Sequence, residues 1–243
     1  MPAFRYFIDQ PLTASAHLTL EGDELHHLKT VMRAQTQDPI ELVNGRNVLA
    51  EGKILDIQKH TAHIHIQNVQ TTPPPIPLIL AQALPKTPRL DYILEKGTEL
   101  GVTEFWLFPS INSEKKEISQ TQLQRLKHIT IAAMKQCGRL DLPHIEIKKQ
   151  LSLWKPHSGN NFFGDTDPNA PLFGTTPVKK ISTLFFIGPE KGFHPKEILL
   201  LQNTLHATGV KLHPHVLRTE TAAVTAATLA SYFLHLHPCH HLP

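Results

Sequence analysis

Apolar and polar positions change their period once along this chain, and the change divides it in two. From Phe4 to Val69 short apolar runs are broken by turn residues, as in β-strands. Ile40-Glu41-Leu42-Val43 leads into Asn44-Gly45, a hairpin signal. Val48–Ile57 and Ala62–Ile66 then alternate apolar with polar residues, which predicts half-buried strands of a small β-barrel. One helical segment interrupts them over Asp23–Arg33, where Leu25, Leu28 and Met32 recur at helical spacing. Thr71-Thr72-Pro73-Pro74-Pro75-Ile76-Pro77 reads as a stiff, extended linker. The expected division is therefore a barrel over residues 1–70, a linker over 71–77 and a second domain over 78–243.

Beyond the linker, strands and helices alternate, the pattern of an α/β domain with a largely parallel sheet. Leu78–Leu84 is a buried strand. Thr87-Pro88 caps a helix with Leu90, Ile93, Leu94, Gly97 and Leu100 on one face, closed by Gly101. Glu104–Phe108 is the next strand, and Ser119 or Thr121 starts a longer helix with the apolar stripe Leu123, Leu126, Ile129, Ala133 and Cys137. Short strands follow near His144–Glu146 and Asn161–Phe163, with Gly159 to Pro177 partly an exposed loop.

Two stretches of this second part stand out. Ser182–Ile187 is an apolar strand running straight into Gly188-Pro189-Glu190-Lys191-Gly192-Phe193, after which Pro195 opens a helix over Lys196 to Leu205. A strand, a Gly-bracketed turn and a helix N-terminus turn backbone N–H groups towards a ligand. The turn has neither the spacing of a phosphate-binding P-loop nor that of a dinucleotide fingerprint. The other stretch runs from Leu212 to Ala223. Pro214 fixes its backbone, Val216-Leu217 anchors it in apolar surroundings, and Thr219 is the expected N-cap of a helix with Glu220 in its first turn. Ala222, Ala223, Ala226, Ala227 and Ala230 make that helix slender, which suits a tight pocket or a tight subunit contact. Together the two stretches predict a small-molecule site built from loops.

Composition narrows the classes. The chain has 243 residues, enough for one large domain or two smaller ones. No apolar run is long enough for a membrane-spanning helix, and the start of the chain lacks the pattern of a signal peptide. Two cysteines, Cys137 and Cys239, point to a reducing, cytoplasmic setting without disulfides. A net charge of +3 permits nucleic-acid binding without signalling it. The tail His235-Leu236-His237-Pro238-Cys239-His240-His241 has no spacing of a closed metal site, so no metal is expected. Cys137 reads as a small packed side chain.

Four motifs, in order, carry a resemblance over nearly the whole chain. They are His27-Leu28-Lys29-Thr30-Val31-Met32-Arg33, Glu95-Lys96-Gly97-Thr98-Glu99-Leu100-Gly101-Val102, Gln136-Cys137-Gly138-Arg139, and Gly188-Pro189-Glu190 paired with Leu217-Arg218-Thr219-Glu220-Thr221-Ala222. The sequence resembles the RsmE family of 16S ribosomal RNA uracil-N3 methyltransferases, of the SPOUT superfamily. The resemblance implies a PUA-like β-barrel that binds RNA, followed by a SPOUT-type α/β domain whose chain end threads a trefoil knot. It further implies a homodimer that acts on small-subunit ribosomal RNA or the 30S particle in ribosome maturation, with S-adenosyl-L-methionine as cofactor. Phe163, Gly164, Ile187, Gly188, Pro189, Glu190, Gly192, Val216, Leu217, Arg218, Thr219, Thr221 and Ala222 are the implied cofactor-binding residues. Arg5, Lys29, Arg33, Lys86 and Arg89 are the implied RNA contacts. The chain departs from the family pattern at Lys191, where a glycine is usual and a positive φ would strain a lysine, and at His213-Pro214-His215, where the family has Gly-Pro-Arg.

The chemistry sets its own requirements. Methyl transfer from a sulfonium is an in-line displacement needing position and a dry pocket rather than a metal. Uracil N3 is a poor nucleophile until it loses its proton, so a base or groups that stabilise the anion must lie beside it, and the nucleotide must be unpaired or flipped out. Arg139 and Arg218 are candidates to hold phosphate or offset charge on the uracil oxygens, and Gln136 to read a uracil edge. Glu190 and Glu220 are the nearest carboxylates. Glu190 reads either as the base or as a turn carboxylate tied to N–H groups or to Lys191. Two other readings stay open: an RNA-binding ribosome-assembly factor without catalysis, and an enzyme holding another nucleotide in the same loops.

Overall fold

The structure, a computed structural model, describes residues 5–236. The metal reading of the histidine tail, and Cys239 with it, falls largely outside the described residues. The chain forms two compact units, one of residues up to Pro74 together with Ile131–Leu142, the other of Pro75–Thr130 and the chain from Pro143 on.

In the first unit five strands, β1 (Arg5–Phe7), β2 (His17–Leu20), β3 (Pro39–Val43), β4 (Val48–Ile57) and β5 (Ala62–Thr71), form a curled sheet in the order β1-β3-β4-β5-β2. The period-2 pattern explains its two faces. Ala62, Ile64 and Ile66 of β5 are buried against Leu42, Ala50 and Ile54, while His63 and His65 face outward. The β3–β4 hairpin turns through Asn44 to Asn47, with Gly45 and Asn47 both at positive φ. The helical segment is less regular than its spacing suggests. An α-helical turn, α1 (Gly22–His26), widens into a π turn over His27–Val31, closed by the Met32 N–H on the His27 carbonyl, and Arg33 at φ +52 lies outside it.

The second unit is a six-stranded, wholly parallel sheet. Its strands are β6 (Leu78–Ala83), β7 (Glu104–Phe108), β8 (His144–Ile147), β9 (Asn160–Gly164), β10 (Thr183–Ile187) and β11 (Thr208–Val210), in the order β11-β9-β10-β6-β7-β8. Central strands β6 and β10 are buried at every position, as continuous apolar runs covered on both faces should be. The helices are α2 (Thr87–Glu99), α3 (Gln120–Cys137, whose last turns belong to the first unit), α4 (Pro195–Asn203) and α5 (Thr219–Ser231).

Several expectations are corrected here. Thr87 is inside α2, and the cap position is Lys86, with no side-chain cap. Ser119 starts α3, its Oγ accepting the Gln122 N–H at 3.2 Å. Cys137 is exposed rather than packed, because α3 ends at Gly138 (φ +87) one turn past the buried Ala133 and Met134. The stretch before Pro177 is not all exposed loop. Phe173 is buried there, its ring 5.0 Å from Phe162 and 5.3 Å from Phe185. Nor does the alanine face of α5 remain free for another subunit: Ala223, Ala226, Ala227 and Ala230 are buried in this unit's own core, where α5 lies against α2, β6 and β10. Short side chains serve close packing inside the chain.

Candidate functional site

The parallel sheet of the second unit delivers its loops at the C-terminal strand ends, where open α/β sheets bind ligands. A cleft of about 440 Å³ lies among them, within the 300–1,000 Å³ usual for small-molecule sites. Three segments line it: Phe163 to Thr166 at the end of β9, Ile187 to Phe193 at the end of β10, and Lys211 to Leu217 before α5, with Thr219 and Ala222 of α5. The two stretches singled out in the sequence are thus opposite walls of one cavity.

A buried polar contact joins the walls. Thr219 Oγ1 donates to the Gly188 carbonyl at 2.6 Å and accepts from Gln82 Nε2 at 3.1 Å. Gln82, fully buried on β6, also donates to the Ala83 carbonyl at 2.8 Å. Thr219 is therefore not the N-cap of α5. Arg218 holds that position, and the Thr219 hydroxyl is spent on the opposite wall.

The first wall is pinned at several points. Gly192 N–H closes a turn on the Pro189 carbonyl at 2.9 Å, and the positive φ (+71) falls on Gly192, so Lys191 is accommodated without backbone strain. Asn112 Nδ2 donates to the Gly192 carbonyl at 3.0 Å. Glu197, in the first turn of α4 and 3 % exposed, accepts from Ser110 Oγ (2.8 Å), Ile111 N–H (3.0 Å) and His194 N–H (3.0 Å). Glu190 accepts the Lys86 N–H at 3.0 Å and pairs with Arg89 at 2.6 Å, while Arg89 Nε lies 3.4 Å from Glu220. Burial alone would push the Glu190 carboxyl up. The Lys86 amide, its own amide and Arg89 outweigh burial and hold it below the ordinary carboxylate value.

The second wall is looser. His213 Nδ1 accepts the His215 N–H at 3.1 Å, and Lys211 Nζ donates to the Pro168 carbonyl at 2.7 Å. Val216 is 78 % exposed, which overturns the expectation that Val216 anchors this loop in apolar surroundings. Its neighbour Leu217 is half-buried and turns to the cleft.

Of the residues expected at a cofactor site, Phe163, Gly164, Ile187, Gly188, Pro189, Glu190, Gly192, Val216, Leu217, Thr219 and Ala222 line the cleft, whereas Arg218 and Thr221 do not. Gln82 and Asp165 escaped sequence reasoning. The only available signal for Gln82 was a lone amide in an otherwise apolar strand, and for Asp165 a carboxylate one residue past the end of another strand.

Comparison with known proteins fits this geometry. A family model described as an RNA methyltransferase domain matches residues 72–231, and one described as an RNA methyltransferase PUA domain matches residues 20–67. The ribosomal RNA small subunit methyltransferase E of Aquifex aeolicus is 30 % identical over 225 residues, 89 % of this chain and 94 % of its own. Its counterpart from Buchnera aphidicola (subsp. Acyrthosiphon pisum) is 28 % identical over 236 residues, covering 92 % and 91 %. The chain belongs to the ribosomal RNA small subunit methyltransferase E family. A Legionella pneumophila protein solved in complex with bound S-adenosylmethionine superposes with a TM-score of 0.86 at 25 % identity, over 96 % of this chain and 98 % of that one. The Neisseria gonorrhoeae small subunit methyltransferase E, solved bound to S-adenosylmethionine, shares the fold with a TM-score of 0.85 at 24 % identity, over 94 % and 97 %.

In this family member the other expected site residues fall as follows. Gln136 and Arg139 belong to the first unit, where Gln136 is exposed and Arg139 pairs with Asp141. Arg5 is turned inward, its side chain 9 % exposed and 2.8 Å from Glu41. Lys29 donates to the carbonyls of Gln58 (2.9 Å) and Lys59 (3.3 Å), and Arg33 is exposed. Lys86 lies 3.5 Å from Glu114, and Arg89 is held between Glu190 and Glu220. Among the described residues no helix is long and apolar enough to cross a membrane, and no cluster of three or more His, Cys, Asp or Glu gathers for a metal.

Proposed function

We propose that this protein methylates N3 of a uridine in small-subunit (16S) ribosomal RNA, with S-adenosyl-L-methionine as donor, during ribosome maturation in the cytoplasm. The observation that carries the reading is the cleft whose walls, Gly188–Gly192 and Leu212–Leu217, are tied by the Thr219 hydroxyl on the Gly188 carbonyl. The residues present fit the cofactor. Ile187, Leu212, Leu217 and Ala222 offer apolar surface for a purine, Asp165 and backbone groups offer acceptors and donors, and the Lys191 ammonium offers a cation for a carboxylate.

When bound, S-adenosyl-L-methionine supplies a methyl group on a sulfonium, an electrophile needing no metal. The chain's own share is to hold both partners in line and keep water out. Glu190 is assigned a holding role. With the Lys86 amide and Arg89 on it and its acidity raised, it is a weak base near neutral pH. Exposed Arg218, at the start of α5, is the candidate to offset charge developing on the uracil oxygens, and Gln136 and Arg139 are candidates to contact the base and its phosphates. Lys29 and Arg33 of the barrel over 1–70 are assigned to the RNA backbone. The linker over 71–77 joins that barrel to a knotted methyltransferase domain over 78–243, and two copies form the active dimer.

Mass analysis of ribosomal RNA from cells lacking this protein tests the reading. It requires loss of one 3-methyluridine from the small subunit, and transfer of labelled methyl to those subunits when the purified protein and S-adenosyl-L-methionine are added. Unchanged modification in the deletion strain would overturn it. The departure at Lys191 does not favour the assembly-factor alternative, because Gly192 carries the positive φ and Lys191 has none.

A further inference from the structure

The cleft contains two acidic side chains, Asp165 and Glu190, and they differ in what they have left to offer. Glu190 is engaged by the Lys86 amide and Arg89. Asp165 is half free. Its backbone N–H is fixed on the Val210 carbonyl at 2.9 Å, and its Oδ1 accepts the Asp167 N–H at 3.0 Å. Its Oδ2 has no hydrogen-bond partner among the described residues. That oxygen rests over the backbone of Gly209 on the neighbouring strand β11. A Cβ at residue 209 would stand 2.4 Å from Oδ2 and 2.7 Å from the Phe163 ring. Glycine at 209 is what lets the carboxylate lie there.

We infer that Asp165 recognises the ribose hydroxyls of the cofactor and so selects a nucleoside ligand with an intact vicinal diol. A fixed carboxylate with an uncommitted oxygen calls for O–H or N–H donors, and carboxylates at the ends of parallel strands take up ribose hydroxyls in other nucleotide folds. S-adenosyl-L-methionine offers two kinds of donor, the ribose diol and the amino-acid ammonium. The rest of the lining favours the diol. Asp165 directly follows Gly164, and Ile187 Cδ1 and Leu212 Cδ1 (3.5 and 3.8 Å from where a Gly164 Cβ would be) give apolar surface to the same cleft that Asp165 lines. A purine against that surface keeps its ribose, one glycosidic bond away, inside the cleft that Asp165 lines. The Lys191 ammonium suits the carboxylate of the amino-acid end.

The inference rests on the cofactor reading above, and calorimetry separates the two. Wild-type protein and Asp165→Asn are titrated with S-adenosyl-L-methionine, 5′-methylthioadenosine (which keeps the ribose but lacks the amino-acid end) and 2′-deoxy-5′-methylthioadenosine. Asp165→Asn is expected to weaken the first two ligands alike, by about ten- to a hundredfold, the range of a charge-assisted hydrogen bond. Wild type should bind the 2′-deoxy ligand about tenfold or more less tightly than its parent, and Asp165→Asn should no longer tell them apart. That wild-type comparison stands even if the variant folds poorly. Loss for S-adenosyl-L-methionine with 5′-methylthioadenosine unchanged would move Asp165 to the ammonium and overturn the inference, as would equal binding of the two nucleosides by wild type. Wild type binding none of the three would sink the cofactor reading itself.

Discussion

The two walls of the cleft are built to different standards. Gly188 to Phe193 is held from three sides: by Arg89 and the Lys86 amide on Glu190, by Asn112 on the Gly192 carbonyl, and by the buried Glu197 linking His194 to Ser110 and Ile111. Lys211 to Arg218 is exposed over His213–Val216 and is held mainly at its ends, by Lys211 on Pro168 and by Thr219 on Gly188. A site with one fixed and one adaptable wall can present a rigid surface to the cofactor while the other side adjusts as it enters, since loops with few buried contacts are those that open at low cost.

The comparison is most exposed to a test at Thr219, where the walls meet. Thr219→Val removes the donor to Gly188 and one of the acceptors of Gln82 Nε2, which keeps the Ala83 carbonyl, so a stability loss of about 2–3 kcal/mol is expected in urea denaturation, together with weakened cofactor binding. Cofactor binding at wild-type strength would mean that the walls do not depend on each other. Glu197→Gln comes next. It turns an amide towards N–H and O–H donors inside the protein, with an expected cost of about 2 kcal/mol.

Arg89→Met should cost less, about 1 kcal/mol, because Arg89, Glu190 and Glu220 keep 31 %, 22 % and 19 % of their side chains exposed. It should still raise the dissociation constant for S-adenosyl-L-methionine, with Arg89→Lys recovering part of the loss. A wild-type constant in Arg89→Met would remove Arg89 from the list of residues that shape the first wall.

Acid gives a smaller effect with a defined sign. The Glu190 carboxyl is lowered in the folded chain from its ordinary value of 4.5. Its contribution to stability is therefore complete above that value and is lost as pH falls through the folded one. Glu190→Gln should flatten that part of the acid denaturation profile and leave stability near pH 7 lower. The mildest prediction concerns the second wall. Val216→Ser, at a side chain 78 % exposed, should change stability by less than about 0.5 kcal/mol, and a larger change would show this loop to be more firmly seated than its exposure implies.

Much of this architecture was legible in the chain. The strands Val48–Ile57 and Glu104–Phe108 coincide with their patterns residue for residue, because alternation and continuous apolar runs are local consequences of one-sided and two-sided burial. The two loops of the cleft were legible for the same reason, each being a strand or turn that runs into a helix start. Failures came where a side chain's partner is distant in sequence. Thr219 looked like a cap because a threonine before a helix usually is one, and nothing local reveals a carbonyl 31 residues away. Likewise nothing local in the chain reveals that Arg89, an expected RNA contact, lies between Glu190 and Glu220. Val216 looked like an anchor because it is apolar, although its place on the loop leaves it in water.

By itself the sequence determined the period of every long element, the division into a β-rich and an α/β part, and the chemistry available in two glycine- and alanine-marked stretches. Those properties depend on neighbours a few positions away, and the chain carries them locally. Only the tertiary structure decided which polar groups meet. Gln82, Thr219 and Gly188 come from three separate elements, and they join because parallel strands bring distant C-terminal ends to one edge of the sheet, where buried donors and acceptors must find each other in place of water.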